Sequence, residues 1–152
     1  MTAIATNASN KPARAVVTRT GEREIRIERI FNAGRQRVWN AITDPALLAQ
    51  WWGRGNKLTI EKLDFVRGGH WRFVEHTSPH GPQGFEGRFA EIAPIEKVAR
   101  TFEWDGMPGH TSLETVNLVD LGDGRTKLVI ETVFMSKADL DGMLSSGMEG
   151  GM

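Results

Sequence analysis

Aromatic side chains recur two or four positions apart in three short segments in the middle of this 152-residue chain. The six residues are Trp71, Phe73, Phe85, Phe89, Phe102 and Trp104. Polar residues take the positions beside them: His70, Arg72, Glu86, Arg88, Thr101 and Glu103. Because successive side chains of a strand point to opposite faces, this alternation predicts an antiparallel sheet with one aromatic, buried face and one polar face. An aromatic face is typical of either a packed core or a pocket for an apolar ligand.

The rest of the pattern predicts one α+β domain without repeats or linkers. The run 16–31 alternates as a first strand, in which Ile25, Ile27 and, after a slip of parity, Ile30 face the same side. Apolar residues then recur at helical spacing until Asp44-Pro45, and Pro45 begins a second short helix that ends near Trp52. The remaining strands are predicted at about 57–66, 70–77, 84–93, 97–105, 111–121 and 126–134. The segment 122–124, Gly-Asp-Gly, signals a hairpin, and Ser136 is the expected N-cap of a closing helix, 136–152.

Composition excludes several classes of function. Lys plus Arg and Asp plus Glu number 19 each, so we expect neither a nucleic acid nor a membrane as partner. The chain has no cysteine, which excludes disulfides, thiolate nucleophiles and Cys-ligated zinc. His76 and His80 are separated by Ser78-Pro79, which prevents their presentation on one helix, so we predict no metal and no other cofactor. Hydrolase, phosphate-loop and zinc-protease motifs are missing, so no catalytic residue is predicted.

The first 15 residues are expected to form a disordered leader before a single domain, 16–152. This leader lacks the compact apolar core of a secretory signal. No apolar run reaches the length that spans a membrane. Both observations predict a cytoplasmic protein.

Five segments in this order resemble a known family: VWNAITDP, LLAQWWG, LDFVRGGHWRF, FEGRFAEIAP and RTFEW. The chain is similar, over about residues 22–152, to proteins related to the C-terminal domain of the Hsp90 ATPase activator. That family lies within the START-like (SRPBCC), birch-pollen-allergen-like superfamily. The resemblance implies a helix-grip fold, in which a curved antiparallel sheet wraps around a C-terminal helix, encloses a cavity and carries two short helices after its first strand. Family members usually continue the last helix further, so we expect either a truncated helix or a less completely closed cavity.

We expect this cavity, between the aromatic face of the sheet and the C-terminal helix, to bind a hydrophobic or aromatic small molecule. Its predicted lining consists of aromatic residues, of polar residues assigned to the same face and of one methionine on the closing helix: Trp52, Phe65, Trp71, Phe73, Phe85, Phe89, Phe102, Trp104, Thr115, Asn117, Thr132 and Met143. Met143 and Met148 are expected to contact the aromatic face. Glu91 and Arg100 flank the turn at Pro94, and we expect them to pair with each other rather than to anchor a ligand.

Two other functions stay open at this point. A polyketide-cyclase-like enzyme would use the same pocket to orient a reactive chain, with catalysis owed mainly to positioning. The resemblance also implies a co-chaperone-type module of the stress response, which would act on an Hsp90-like ATPase through the polar face of the sheet. A homodimer is compatible with any of these functions.

Overall fold

The computed structural model describes residues 15–52, 55–77 and 80–145 of the chain. These residues form eight strands and three helices: β1 (Val16–Arg19), β2 (Glu24–Phe31), α1 (Arg35–Thr43), α2 (Pro45–Trp51), β3 (Lys57–Leu63), β4 (His70–Thr77), β5 (Gly81–Ala93), β6 (Lys97–Trp104), β7 (Thr111–Gly122), β8 (Arg125–Val133) and α3 (Lys137–Ser145). The predictions for residues 1–14 and 146–152 lie outside the described residues. No helix among those described is long and apolar enough to cross a membrane.

The strands form one curved antiparallel sheet in the order β1-β2-β8-β7-β6-β5-β4-β3, which confirms the α+β helix-grip prediction. The run predicted as a single first strand is a hairpin, because the Arg19 guanidinium donates hydrogen bonds to the carbonyl groups of Gly21 and Glu22 and closes a turn there. The hairpin at 122–124 is confirmed as well. Gly122, Asp123 and Gly124 all have positive φ angles, of 77°, 49° and 79°.

The division of the sheet into an aromatic face and a polar face is also confirmed. Phe73 lies opposite Phe85, and Phe85 lies opposite Trp104 on the next strand. On the other face, Arg72 lies opposite Glu86. Trp104 is an exception to the predicted burial, because it is the last residue of β6 and keeps 38% of its surface exposed. We call the aromatic side the inner face and the polar side the outer face.

Helices α1 and α2 cover the inner face. The Asp44 carboxylate accepts a hydrogen bond from the Ala46 amide at 2.9 Å and caps α2, and Pro45 takes its first turn as predicted. The Trp52 ring then lies edge-on to Phe73 and Phe85, with centroids 5.3 and 5.2 Å apart. The two short helices therefore pack on the aromatic side chains that we expected the C-terminal helix to cover.

Helix α3 packs at the other edge of the sheet. Its predicted N-cap is confirmed, because the Ser136 hydroxyl accepts a hydrogen bond from the Asp139 amide at 3.1 Å. Leu140 is fully buried in a second apolar cluster that includes Ile25 and Phe134, and Met143 packs against the same cluster. The expected contact between Met143 and the six aromatic residues is therefore wrong, and Met148 lies outside the described residues.

Candidate functional site

A cavity of about 170 Å³ lies between the inner face of the sheet and helices α1 and α2. Its floor is an apolar row across four adjacent strands, in which Ile27, Ile130, Val116 and Val98 are consecutive cross-strand partners. Because β-branched side chains are stiff and stand on the sheet at fixed spacing, they give the cavity a rigid floor.

The roof and one wall of the cavity come from the segment between β2 and β4. Ile42, Leu48 and Trp52 line it from above. Phe65 lines it from the connection between β3 and β4, and its ring meets Phe89 edge to face at a centroid distance of 5.0 Å. The described part of α3 contributes no lining residue, so the prediction that the cavity lies between the sheet and the C-terminal helix is wrong for the described residues.

One ion pair lines the cavity beside the apolar floor. The Arg100 Nε lies 3.1 Å from the Glu114 carboxylate, and the two side chains are 16% and 21% exposed. The Arg100 guanidinium also stacks over the Trp71 ring, 4.3 Å from its centroid. The charge of Arg100 is thus balanced within the protein.

The predicted pair of Glu91 and Arg100 does not form. The β5–β6 register shifts between Phe89 and Glu91, so Glu91 lies opposite Ala99 on the outer face. There it forms an ion pair with Lys97 at 3.0 Å. The physical reason is a β-bulge, which moves every later side chain of the strand to the other face.

A second arginine enters the cavity from β2, and no acid among the described residues balances it. Arg29 lies opposite Leu128 and lines the cavity, and its Nε is enclosed with no hydrogen-bond partner among the described residues. Burial lowers the pKa of the Arg29 guanidinium, since a cation loses hydration there. The group still keeps its charge at neutral pH, because arginine pKa values start so high.

Four of the predicted ligand-binding residues line the cavity: Trp52, Phe65, Phe73 and Phe89. Trp71, Phe85 and Phe102 share the inner face and pack beside them, but they do not reach the cavity. Trp104 lies at the end of the sheet, where its Nε1 donates a hydrogen bond to Gln83.

The three polar residues predicted for the site divide between the two faces. Thr132 is buried on the inner face opposite Glu114, outside the cavity lining. Thr115 and Asn117 lie on the outer face, opposite Ala99 and Lys97 of β6, so the prediction that they face the cavity is wrong. The register of β7 is set by Val116 and Leu118, which are buried against the core.

Arg29 is absent from the predicted lining because that prediction places a slip of parity before Ile30. The β2–β8 register runs without a shift from Glu24 to Phe31, so Arg29 continues the inner row of Ile25 and Ile27. Phe31, fully buried two residues later, was the signal that could have found it.

Comparisons with known proteins agree with this fold. The family model described as "Activator of Hsp90 ATPase homolog 1-like protein" matches residues 32–152. A solved structure from Rhodobacter sphaeroides is 24% identical, with a TM-score of 0.81 over 91% of this chain and 89% of that one. A protein from Chromobacterium violaceum is 27% identical, with a TM-score of 0.67 over 76% and 82% of the two chains.

An HSP90 activator from Plasmodium falciparum is 20% identical to this chain, with a TM-score of 0.58 over 73% and 72% of the two chains. No curated protein matches this chain at a significant level. The family match and the shared fold confirm the resemblance drawn from the sequence.

Proposed function

The chain belongs to the family of activator of Hsp90 ATPase homolog 1-like proteins, and on the basis of its cavity we propose that it binds an apolar small molecule between the sheet and helices α1 and α2. The observation that carries this proposal is a cavity of about 170 Å³ with an apolar floor, an apolar roof and aromatic walls. An apolar cavity of roughly 150 Å³ in another protein takes up benzene, so this one has room for a ligand with a single aromatic ring.

The shape of the walls favours a flat ligand. Phe65, Phe73 and Trp52 present ring edges and faces at fixed angles, and an aromatic ligand can adopt the same edge-to-face packing. Such contacts add to the free energy of removing apolar surface from water.

Binding is favoured over catalysis of the polyketide-cyclase type. A reaction would need a general acid or base that faces the bound molecule. Among the described residues that line the cavity, only Arg29, Arg100 and Glu114 are ionisable, and Glu114 is held by Arg100. The carboxylate is therefore engaged in an ion pair rather than free to transfer protons.

The co-chaperone alternative has less support in this chain. One relative of known structure is named an HSP90 activator, but at 20% identity that likeness extends to the fold alone. A function carried by the outer face would be insensitive to the volume of the cavity, and this difference supplies the test.

The test fills the cavity and measures binding of 3-phenylpropan-1-ol and 3-phenylpropionate by titration calorimetry. Val116→Phe places an aromatic ring on the cavity floor, where Val116 is 8% exposed. Val119→Phe makes the same substitution three residues later on the outer face, at a side chain that is 44% exposed. We expect Val116→Phe to weaken binding of both ligands by roughly tenfold or more and Val119→Phe to leave it unchanged, since overpacking typically costs about 1–3 kcal/mol.

If neither ligand binds the unmodified protein, or if the two variants affect binding equally, the proposed cavity is not a binding site. Circular dichroism and thermal unfolding of both variants establish that each retains the fold before the titrations are compared.

A further inference from the structure

The cavity contains one cation that pairs with no acid among the described residues. Arg29 lines it from β2, and its enclosed Nε donates to no acceptor among the described residues. Hydrogen-bonding groups that lose water without gaining a partner raise the free energy of the folded state, and charged groups do so most. The ligand-free protein is therefore less stable than it would be if Arg29 had a partner.

Arg100 shows that an arginine at the same cavity can be satisfied from within. Its Nε pairs with Glu114 at 3.1 Å, and its guanidinium stacks on Trp71. The three ionisable residues among the described lining together carry one net positive charge, since Glu114 balances Arg100 and no described acid balances Arg29. The uncompensated charge also lies away from the ion pair. Arg29 is on β2 opposite Leu128, whereas Glu114 lies two strands away opposite Thr132.

We infer that the ligand is an apolar molecule with one carboxylate, and that Arg29 binds that carboxylate while the apolar body fills the cavity. This inference rests on the proposed binding function and adds the chemical class of the ligand. The planar guanidinium fork matches a carboxylate with two parallel hydrogen bonds, which are about twice as strong as neutral ones. A phosphate monoester would bring up to two negative charges to one free cation, so a singly charged acid gives the better balance.

The experiment compares two ligands with the same apolar body, 3-phenylpropionate and 3-phenylpropan-1-ol, by titration calorimetry at neutral pH. We expect the acid to bind the unmodified protein roughly tenfold more tightly than the alcohol, since a hydrogen bond to a charged group is worth that much. Arg29→Met should abolish the preference, by weakening the acid roughly tenfold while changing the alcohol by less than about twofold.

Arg26→Met is the matched control. Arg26 lies three residues earlier on the same strand, faces the outer side and is paired with Glu131 at 3.2 Å. The Arg26→Met substitution removes one positive charge, as Arg29→Met does. A general loss of attraction for anions would therefore affect both variants alike. We expect the acid to bind Arg26→Met as it binds the unmodified protein.

Each outcome decides one of the two proposals. If neither ligand binds, the proposed function fails. If both bind with equal affinity, or if Arg29→Met binds the acid as well as the unmodified protein does, the cavity is a binding site but the carboxylate inference is overturned. Arg29→Gln serves where the Met variant does not fold, and the comparison of acid with alcohol in the unmodified protein needs no variant.

Discussion

Arg72 on the outer face and Arg29 on the inner face are two arginines of one sheet in opposite electrostatic situations. The Arg72 guanidinium lies 2.7 Å from Asp105, 2.9 Å from Glu61 and 3.5 Å from Glu86. These carboxylates, above all the hydrogen-bonded Asp105, raise the pKa of Arg72. The enclosed Nε of Arg29 has no acceptor within the described part of the chain, and burial lowers the pKa of its guanidinium.

This difference separates an arginine that holds the fold together from one that is available to a ligand. Arg72 joins residues of β3 and β5 and the Asp105 that follows β6. Arg100 shows that the face of the sheet does not decide the matter, because it lines the cavity and is nevertheless paired with Glu114. Compensation by the protein's own acids is what distinguishes the structural arginines.

The largest effect on stability should come from Arg100→Met. The substitution leaves the Glu114 carboxylate in a mostly apolar cavity and removes the cation from the Trp71 ring. We expect the free energy of unfolding in urea to fall by about 2–3 kcal/mol, somewhat less than for a fully buried pair. The double variant Arg100→Met/Glu114→Leu should recover at least half of that loss, and a double variant as unstable as the single one would contradict this account.

Arg72→Met should have the next largest effect. It breaks a network with three carboxylates rather than a single exposed pair, so we expect a loss of about 1–2 kcal/mol in the free energy of unfolding. Arg125→Met is the control, because Arg125 pairs only with the nearby, exposed Asp123 among the described residues and should cost less than about 0.5 kcal/mol. Equal losses of stability in the two variants would show that the network stabilises the fold no more than a single exposed ion pair does.

Arg29→Met should change stability in the opposite direction. Replacing an uncompensated cation in the cavity with an apolar side chain of similar length should raise the free energy of unfolding by up to about 1 kcal/mol in the absence of ligand. Chemical unfolding of the ligand-free protein checks the sign. A clear loss of stability would place Arg29 with the structural arginines and remove the contrast.

The smallest effect is a pH dependence at the outer face. The hydrogen bond from Arg72, followed by its charge, lowers the pKa of Asp105 in the folded state. A lowered pKa stabilises the fold above the unfolded value, about 3.9 for aspartate, and this contribution disappears as the pH falls through the folded value. The stability difference between the protein and its Asp105→Asn variant should therefore be constant from pH 7 to about pH 5 and should shrink below about pH 4. A difference that stays constant to pH 2.5 would contradict the shift.

Much of the fold could be predicted from the sequence because its signals are local. Strict alternation at Trp71 and Phe73 fixes which side of the strand faces inward, and the Gly-Asp-Gly turn at 122–124 fixes a hairpin. The signals that begin α2 and α3 are equally local. Each helix begins at a cap whose hydrogen bond spans no more than three residues, at Asp44 for α2 and at Ser136 for α3.

The cavity was harder to predict because its lining depends on register between distant strands. Phe31 favours Arg29 over Ile30 as the inward residue, but Ile30 is the more apolar of the two, and the choice is made by pairing with β8, about 100 residues later. The bulge after Phe89 reverses Glu91, and the pairing of β7 with β6 turns Thr115 outward. Polar residues in particular were misplaced, since burial does not reveal their orientation in a sequence.

A bound carboxylate supplies the acceptor that Arg29 lacks among the described residues, and the signal of the Arg29 Nε–H group in a proton–nitrogen NMR spectrum tests this claim. The signal is assigned by its loss in Arg29→Met, and 3-phenylpropionate is then added to the unmodified protein. We predict that the Arg29 signal moves to the position of a hydrogen-bonded group, while the signals of Arg72 and Arg100 stay in place. Calorimetric binding of the acid with an unmoved Arg29 signal would contradict the claim.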